Sequence, residues 1–94
     1  MNKQHHSGIA QDAASRQAAL VRSMIEDLER TIQILHIDIC TEEKRLRVFD
    51  KADPRYSVLA RTLKARSDNL KTTVANLKQR LTSLTANEGL PAAA

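Results

Sequence analysis

Two long apolar stripes, separated by Asp53-Pro54, constrain the fold of this chain more than any other feature. Residues 9–50 contain neither proline nor glycine, and apolar side chains recur there in alternating steps of three and four. The members of this first stripe are Ala14, Ala18, Val21, Ile25, Leu28, Ile32, Leu35, Ile39, Leu46 and Phe49. Such spacing, maintained over many turns, is typical of a coiled-coil helix. We therefore predict a first helix over about residues 9–50.

The second stripe follows the proline and repeats every seven residues. Its members are Tyr56, Leu63, Leu70, Leu77 and Leu84, with Ala60, Val74 and Leu81 at the other seam position and Ser67 as the weak member. Asp53 is suited to cap a helix whose first position is Pro54, because the missing N–H of proline costs nothing there. Gly89 and Pro91 are typical of the residues that follow a helix. We predict a turn at 51–53 and a second helix over about 54–87.

Two helices of similar length with a short connection are expected to lie side by side and antiparallel. Folding the chain about residues 51–53 places apolar residues opposite apolar residues along most of the seam, and it brings Glu43 near Lys64. We therefore predict an all-α fold, an antiparallel two-helix coiled-coil hairpin over residues 9–88. Residues 1–8 are predicted to be a disordered tail and residues 89–94 a frayed one.

A second apolar surface lies outside the seam of the first helix. Its members are Met24, Ile34, Ile37, Cys40 and Val48. A helix that is apolar on more than one side is normally buried on more than one side. We predict that these residues form a self-association interface, through which two hairpins dimerise into a four-helix bundle.

His36 and Cys40 lie one helical turn apart, with Glu43 a further turn along. An imidazole, a thiolate and a carboxylate can bind zinc, and a thiol beside an imidazole can act as a nucleophile with its base. No second cluster of such residues completes either kind of site. The simpler interpretation is that Cys40 fills space at the interface. We therefore predict no catalytic residue, no metal and no cofactor, and a protein that is not an enzyme.

The second helix carries a basic stripe that could contact phosphates. Its members are Arg61, Lys64, Lys71 and Lys78. Aromatic residues on which bases could stack do not accompany them. Lysines beside a coiled-coil seam also cover apolar residues with their methylene groups. Nucleic-acid binding through this stripe is therefore retained as the alternative function.

The net charge of +4 is modest, and both signs are mixed along the chain. No apolar stretch approaches the roughly 20 residues that span a bilayer, and residues 1–8 lack the apolar core of a secretion signal. A single cysteine suits a reducing compartment. We predict a cytoplasmic protein without membrane contact. Its predicted function is that of a non-enzymatic protein-interaction or assembly module, a homodimer that also binds a protein partner.

Overall fold

The computed structural model describes the backbone of residues 2–89 and the side chains of residues 12–86. It contains two α-helices, α1 (Asn2–Leu46) and α2 (Val58–Gly89), joined by residues 47–57. The helices pack against each other, and no strand occurs in the described part of the chain. The predicted all-α hairpin is therefore confirmed. Neither of these helices combines the length and the apolar character that crossing a membrane requires.

The chain divides into two compact units. The reversal unit comprises Asp27–Val74, and the terminal unit comprises the described parts of Met1–Glu26 and Ala75–Ala94. In the terminal unit, Ala18, Val21 and Ile25 are buried, and Leu77, Leu81 and Leu84 are half-buried. These are the positions that the two stripes predict for the seam.

The helical segments of the reversal unit run antiparallel. The hydroxyl of Ser57 at the start of α2 donates to the carboxylate of Glu42 at 3.0 Å. Ile39, which lies three residues before Glu42 on α1, packs against Ala60, which lies three residues after Ser57. Contacts therefore advance along α2 as they recede along α1, which is the arrangement that the sequence predicts.

The first helix ends at Leu46, four residues before the predicted boundary. Arg47 has a φ of 58°, which is the left-handed conformation that commonly ends a helix. Beyond this residue the helical spacing no longer applies. As a result Phe49, which we predicted in the seam, is exposed. Leu46, the last residue of α1, was also predicted in the seam and is 39% exposed. Val48 instead contacts the buried cluster formed by Ile39, Tyr56 and Ala60.

Replacing Arg47 with glycine should stabilise the protein. A residue with a Cβ loses about 1–2 kcal/mol in the left-handed region, and glycine avoids this loss. Glycine also costs more backbone entropy on folding, so we expect Arg47→Gly to raise the free energy of unfolding by roughly 0.5–1 kcal/mol. Urea unfolding followed by circular dichroism measures the change.

The matched control is Ala19→Gly, which places glycine at an exposed position inside α1. It should lower the free energy of unfolding by about 1 kcal/mol, because glycine is unfavourable in a helix interior. Equal destabilisation by both substitutions would show that Arg47 is not held in the left-handed conformation.

Two consecutive turns reverse the chain, each beginning at an aspartate. The N–H of Asp53 donates to the carbonyl of Asp50 at 3.0 Å, and the N–H of Tyr56 donates to the carbonyl of Asp53 at 2.9 Å. Each aspartate carboxylate also accepts the N–H two residues ahead, from Ala52 at 2.9 Å and from Arg55 at 2.8 Å. Such local bonds are the reason why aspartate favours turns.

The prediction that Asp53 caps α2 is wrong, because Asp53-Pro54 opens the second of these turns. The ring of proline fixes its φ at a value that suits the first position of a helix. The same value suits the second position of a β-turn, so proline is favoured there as well. The true cap is Ser57, whose Oγ accepts the N–H of Ala60 at 3.0 Å. The carbonyl of Ser57 accepts the first helical bond, from Arg61 at 3.0 Å.

The outer helix boundaries also differ from the predicted ones. Helix α1 begins at Asn2, where we predicted a tail over residues 1–8, and α2 ends at Gly89. The side chains of residues 1–11 and the whole of residues 90–94 lie outside the described part of the chain.

Candidate interaction surfaces

The middle of α1 presents apolar side chains that the reversal unit leaves uncovered. Ile34 and Ile37 are 58% and 60% exposed, whereas Leu35 and Ile39 of the same helical turns are buried. Both isoleucines lie where we predicted a second apolar surface. Met24, which we assigned to the same surface, is exposed in the terminal unit.

The other two residues of the predicted interface have different surroundings. Val48 is half-buried because it packs against the cluster of Ile39, Tyr56 and Ala60 within the same chain. Cys40 is half-buried and lines a groove between the helices. Of the predicted interface residues in the reversal unit, only Ile34 and Ile37 are therefore exposed.

The groove beside Cys40 has a volume of about 210 Å³. Residues from both helices and from the connecting segment line it: His36, Ile39, Cys40, Glu43, Lys51, Lys64, Ser67, Asp68 and Lys71. The Sγ of Cys40 lies 3.8 Å from the Nε2 of His36, as their spacing in the sequence implies. Among the described residues, no group of three or more His, Cys, Asp or Glu side chains is placed to hold a metal ion.

Tyr56 links the two helices at the end of this groove. Its buried ring packs in the core, and its hydroxyl donates to Glu43 Oε2 at 2.7 Å. The Nζ of Lys64 lies 3.4 Å from the same carboxylate oxygen, so the predicted contact between Glu43 and Lys64 is confirmed. The hydrogen bond from Tyr56 lowers the pKa of Glu43, whereas burial raises the pKa of Tyr56.

Glu42 occupies the seam where the stripe of α1 is interrupted. Its carboxylate accepts a hydrogen bond from Arg45 at 2.7 Å and one from Ser57 at 3.0 Å. The bond from Arg45, followed by that from Ser57, lowers the pKa of Glu42. Glu42 therefore joins the end of α1 to the residue that caps α2. Nearby, hydrogen bonds from Arg55 lower the pKa of Asp53 to about 2.

Two of the four predicted phosphate contacts are engaged around Tyr56. Lys64 pairs with Glu43, and its ammonium lies 5.4 Å from the ring centroid of Tyr56. The guanidinium of Arg61 lies 5.6 Å from the same centroid. Lys71 is exposed at the groove in the reversal unit, and Lys78 is exposed in the terminal unit.

Sequence reasoning missed a second exposed apolar set, beside the chain reversal. It comprises Leu46, Phe49, Val58 and Leu59, and we refer to it as the reversal surface. Leu46, the last residue of α1, and Phe49, which lies beyond its end, were both assigned to the seam by the helical spacing. Val58 and Leu59 fall outside the heptad positions of the second stripe, and this signal was available in the sequence.

Comparison with models of protein families, with curated proteins and with solved structures found no match.

Proposed function

We propose that this chain is a non-enzymatic assembly module that associates with a second copy of itself through the middle of α1. The observation that carries the proposal is the exposure of Ile34 and Ile37 on a helix whose opposite side is already buried against α2. A helix with two apolar sides needs two partners, and a single hairpin supplies only one. The product is a dimer of hairpins, a four-helix bundle.

The charges that flank the two isoleucines suit a second copy in antiparallel orientation. A two-fold axis midway between Ile34 and Ile37 would place Ile34 of one copy against Ile37 of the other. The same axis would place Asp27 opposite Lys44, because these residues are equally far from it in opposite directions. Both side chains are exposed, and Asp27 pairs with Arg30 of its own helix. The surface is therefore complementary to itself in charge.

The association should depend on protein concentration. Full burial of an isoleucine contributes about 1.5–3 kcal/mol. The four isoleucines that meet in the proposed dimer are 58–60% exposed in the single hairpin, so their burial contributes roughly 4–7 kcal/mol. This gain is of the same order as the cost of bringing two molecules together, about 4–15 kcal/mol. We therefore expect a reversible dimer rather than a permanent one, which suits an assembly module that exchanges partners.

Sedimentation or light scattering over about 10 μM to 1 mM protein tests the proposal. The molar mass should rise with concentration from that of one chain to that of two. Ile37→Lys should remain a monomer throughout, because the interface would then bury an unpaired charge. A wild-type protein that stays monomeric at about 1 mM would exclude this interface.

Charge reversal tests the orientation of the second copy. Asp27→Lys and Lys44→Asp should each weaken the dimer, since each places like charges opposite each other. The double variant should restore association, because the two charges are then exchanged. Both residues are exposed, so neither substitution should affect the fold.

The alternative function, nucleic-acid binding through α2, has less support from the geometry. Lys64 would have to give up its pairing with Glu43 to contact a phosphate, and Arg61 lies over the ring of Tyr56. Binding of duplex DNA or RNA that weakens steeply with salt would favour this alternative.

A further inference from the structure

The chain reversal combines exposed apolar side chains with a local excess of positive charge. Phe49, Val58 and Leu59 are 60%, 77% and 55% exposed. With Leu46, they are half of the eight large apolar residues that are exposed among the described side chains. All four lie within residues 46–59, at the adjoining ends of α1 and α2 and in the segment between them.

The chain reversal also carries a net positive charge. Residues 44–61 contain six basic and two acidic residues, a net charge of +4, and the two glutamates that precede them, Glu42 and Glu43, reduce it to +2. The six basic side chains are exposed: Lys44, Arg45, Arg47, Lys51, Arg55 and Arg61. Two of them are paired locally, Arg45 with Glu42 and Arg55 with Asp53.

The start of α2 adds to this positive character. Its first turn contains no acidic side chain, although acidic residues are favourable there. Val58 and Leu59 occupy its first two positions, so the positive end of the helix dipole lies beside exposed apolar side chains. A partner of this surface must therefore accept apolar groups and cations side by side.

We propose that the reversal surface docks on an anionic lipid surface. Phe49, Val58 and Leu59 enter the boundary between headgroups and acyl chains, and the surrounding basic residues contact the anionic headgroups. Bilayers that contain anionic lipid offer both environments within a few ångströms, and stable attachment generally requires both. This docking differs from membrane crossing and does not involve Ile34 or Ile37, although Lys44 belongs both to this surface and to the proposed dimer interface.

Other occupants fit the same features less well. A second copy would bring two ends of like charge together, which opposes association. A nucleic acid would attract the cations, but it would leave Val58 and Leu59 in water. An acidic protein with an apolar surface would satisfy both requirements, and the test below separates it from lipid.

The test is flotation of the full chain with vesicles of phosphatidylcholine, with or without about one third phosphatidylserine. The protein should bind the anionic vesicles, remain free of the neutral ones, and dissociate in about 0.5 M salt. The double substitution Val58→Ser and Leu59→Ser should weaken binding at least about tenfold. Arg47→Gln with Lys51→Gln, which leaves the proposed dimer interface intact, should weaken it about 30-fold.

Leu20→Ser is the matched control, because Leu20 is 62% exposed on α1 but lies far along the sequence from the reversal surface. It should leave vesicle binding unchanged, and circular dichroism should show that all variants remain helical. The proposal is overturned if anionic vesicles do not bind the protein, or if the control loses binding as severely as the serine double variant.

Phe49→Trp provides a direct readout, since the chain contains no tryptophan. Its fluorescence should shift to shorter wavelength with anionic vesicles and not with polyglutamate or duplex DNA, which supply negative charge without an apolar phase. An absent shift with the vesicles, or an equal shift with either polymer, would mean that the surface binds something other than lipid.

Discussion

Tyr56→Ala should cost about 3–5 kcal/mol of the free energy of unfolding. The ring of Tyr56 is almost completely buried against Ile39 and Ala60, where the two helices meet beside the chain reversal. Its removal leaves a cavity and also deprives Glu43 of the hydroxyl that donates to it at 2.7 Å. Small domains have about 5–15 kcal/mol of stability in total, so this substitution should remove a large share of it.

Urea unfolding of Tyr56→Ala and of three further variants separates the contribution of the ring from that of the hydroxyl. Tyr56→Phe keeps the ring and should cost only about 1–2 kcal/mol, because Lys64 still pairs with Glu43. Glu43→Gln, alone and combined with Tyr56→Phe, completes a double-mutant cycle for the hydrogen bond. If Tyr56→Ala and Tyr56→Phe cost the same, the ring would contribute nothing and this description of the core would be wrong.

The predictability of the fold from sequence differs between its seam and its chain reversal. Burial at Val21, Ile39 and Val74 follows from a spacing that repeats over many turns, so one irregular residue does not obscure it. Even Ser67, the weak member of the second stripe, is buried. The apolar residues on either side of Ser67 in the stripe pack in the seam, and the helix between them places Ser67 there too.

The chain reversal depends instead on single residues that have more than one conformational use. Asp53-Pro54 suits both the start of a helix and the start of a turn, and the sequence does not distinguish the two. Nothing in the residue type of Arg47 indicates the left-handed backbone that ends α1. Once this residue leaves the helix, Val48 packs inside the chain and Phe49 is exposed, which reverses their predicted roles.

The candidate surfaces also differ in how far the sequence predicts them, according to whether they lie in a regular helix or at the chain reversal. The exposure of Ile34 and Ile37 was predictable because both lie in the regular part of α1, where position on the helix determines burial. The exposure of Leu46 and Phe49 in the reversal surface was not predicted, because the helical spacing assigned both residues to the seam. Val58 and Leu59 lie outside the heptad positions of the second stripe, so their exposure could have been read from the sequence, as could the basic residues near them.

Ile39→Ala and Ile37→Ala form a matched pair that separates folding from assembly. Ile39 is 6% exposed and packs against Tyr56 and Ala60, so its truncation should cost about 2–5 kcal/mol at every protein concentration. Ile37 is 60% exposed, and its truncation should change the stability of dilute protein by no more than about 0.5 kcal/mol.

The two variants should diverge when thermal unfolding is followed at increasing concentration. Association stabilises the folded chain by mass action, so the Tm of the wild type and of Ile39→Ala should rise with concentration. The Tm of Ile37→Ala should rise less, because its dimer interface has lost buried apolar area. A large loss of stability in dilute Ile37→Ala would place Ile37 in the core of the single hairpin. A concentration dependence identical to that of the wild type would place the interface elsewhere on the molecule.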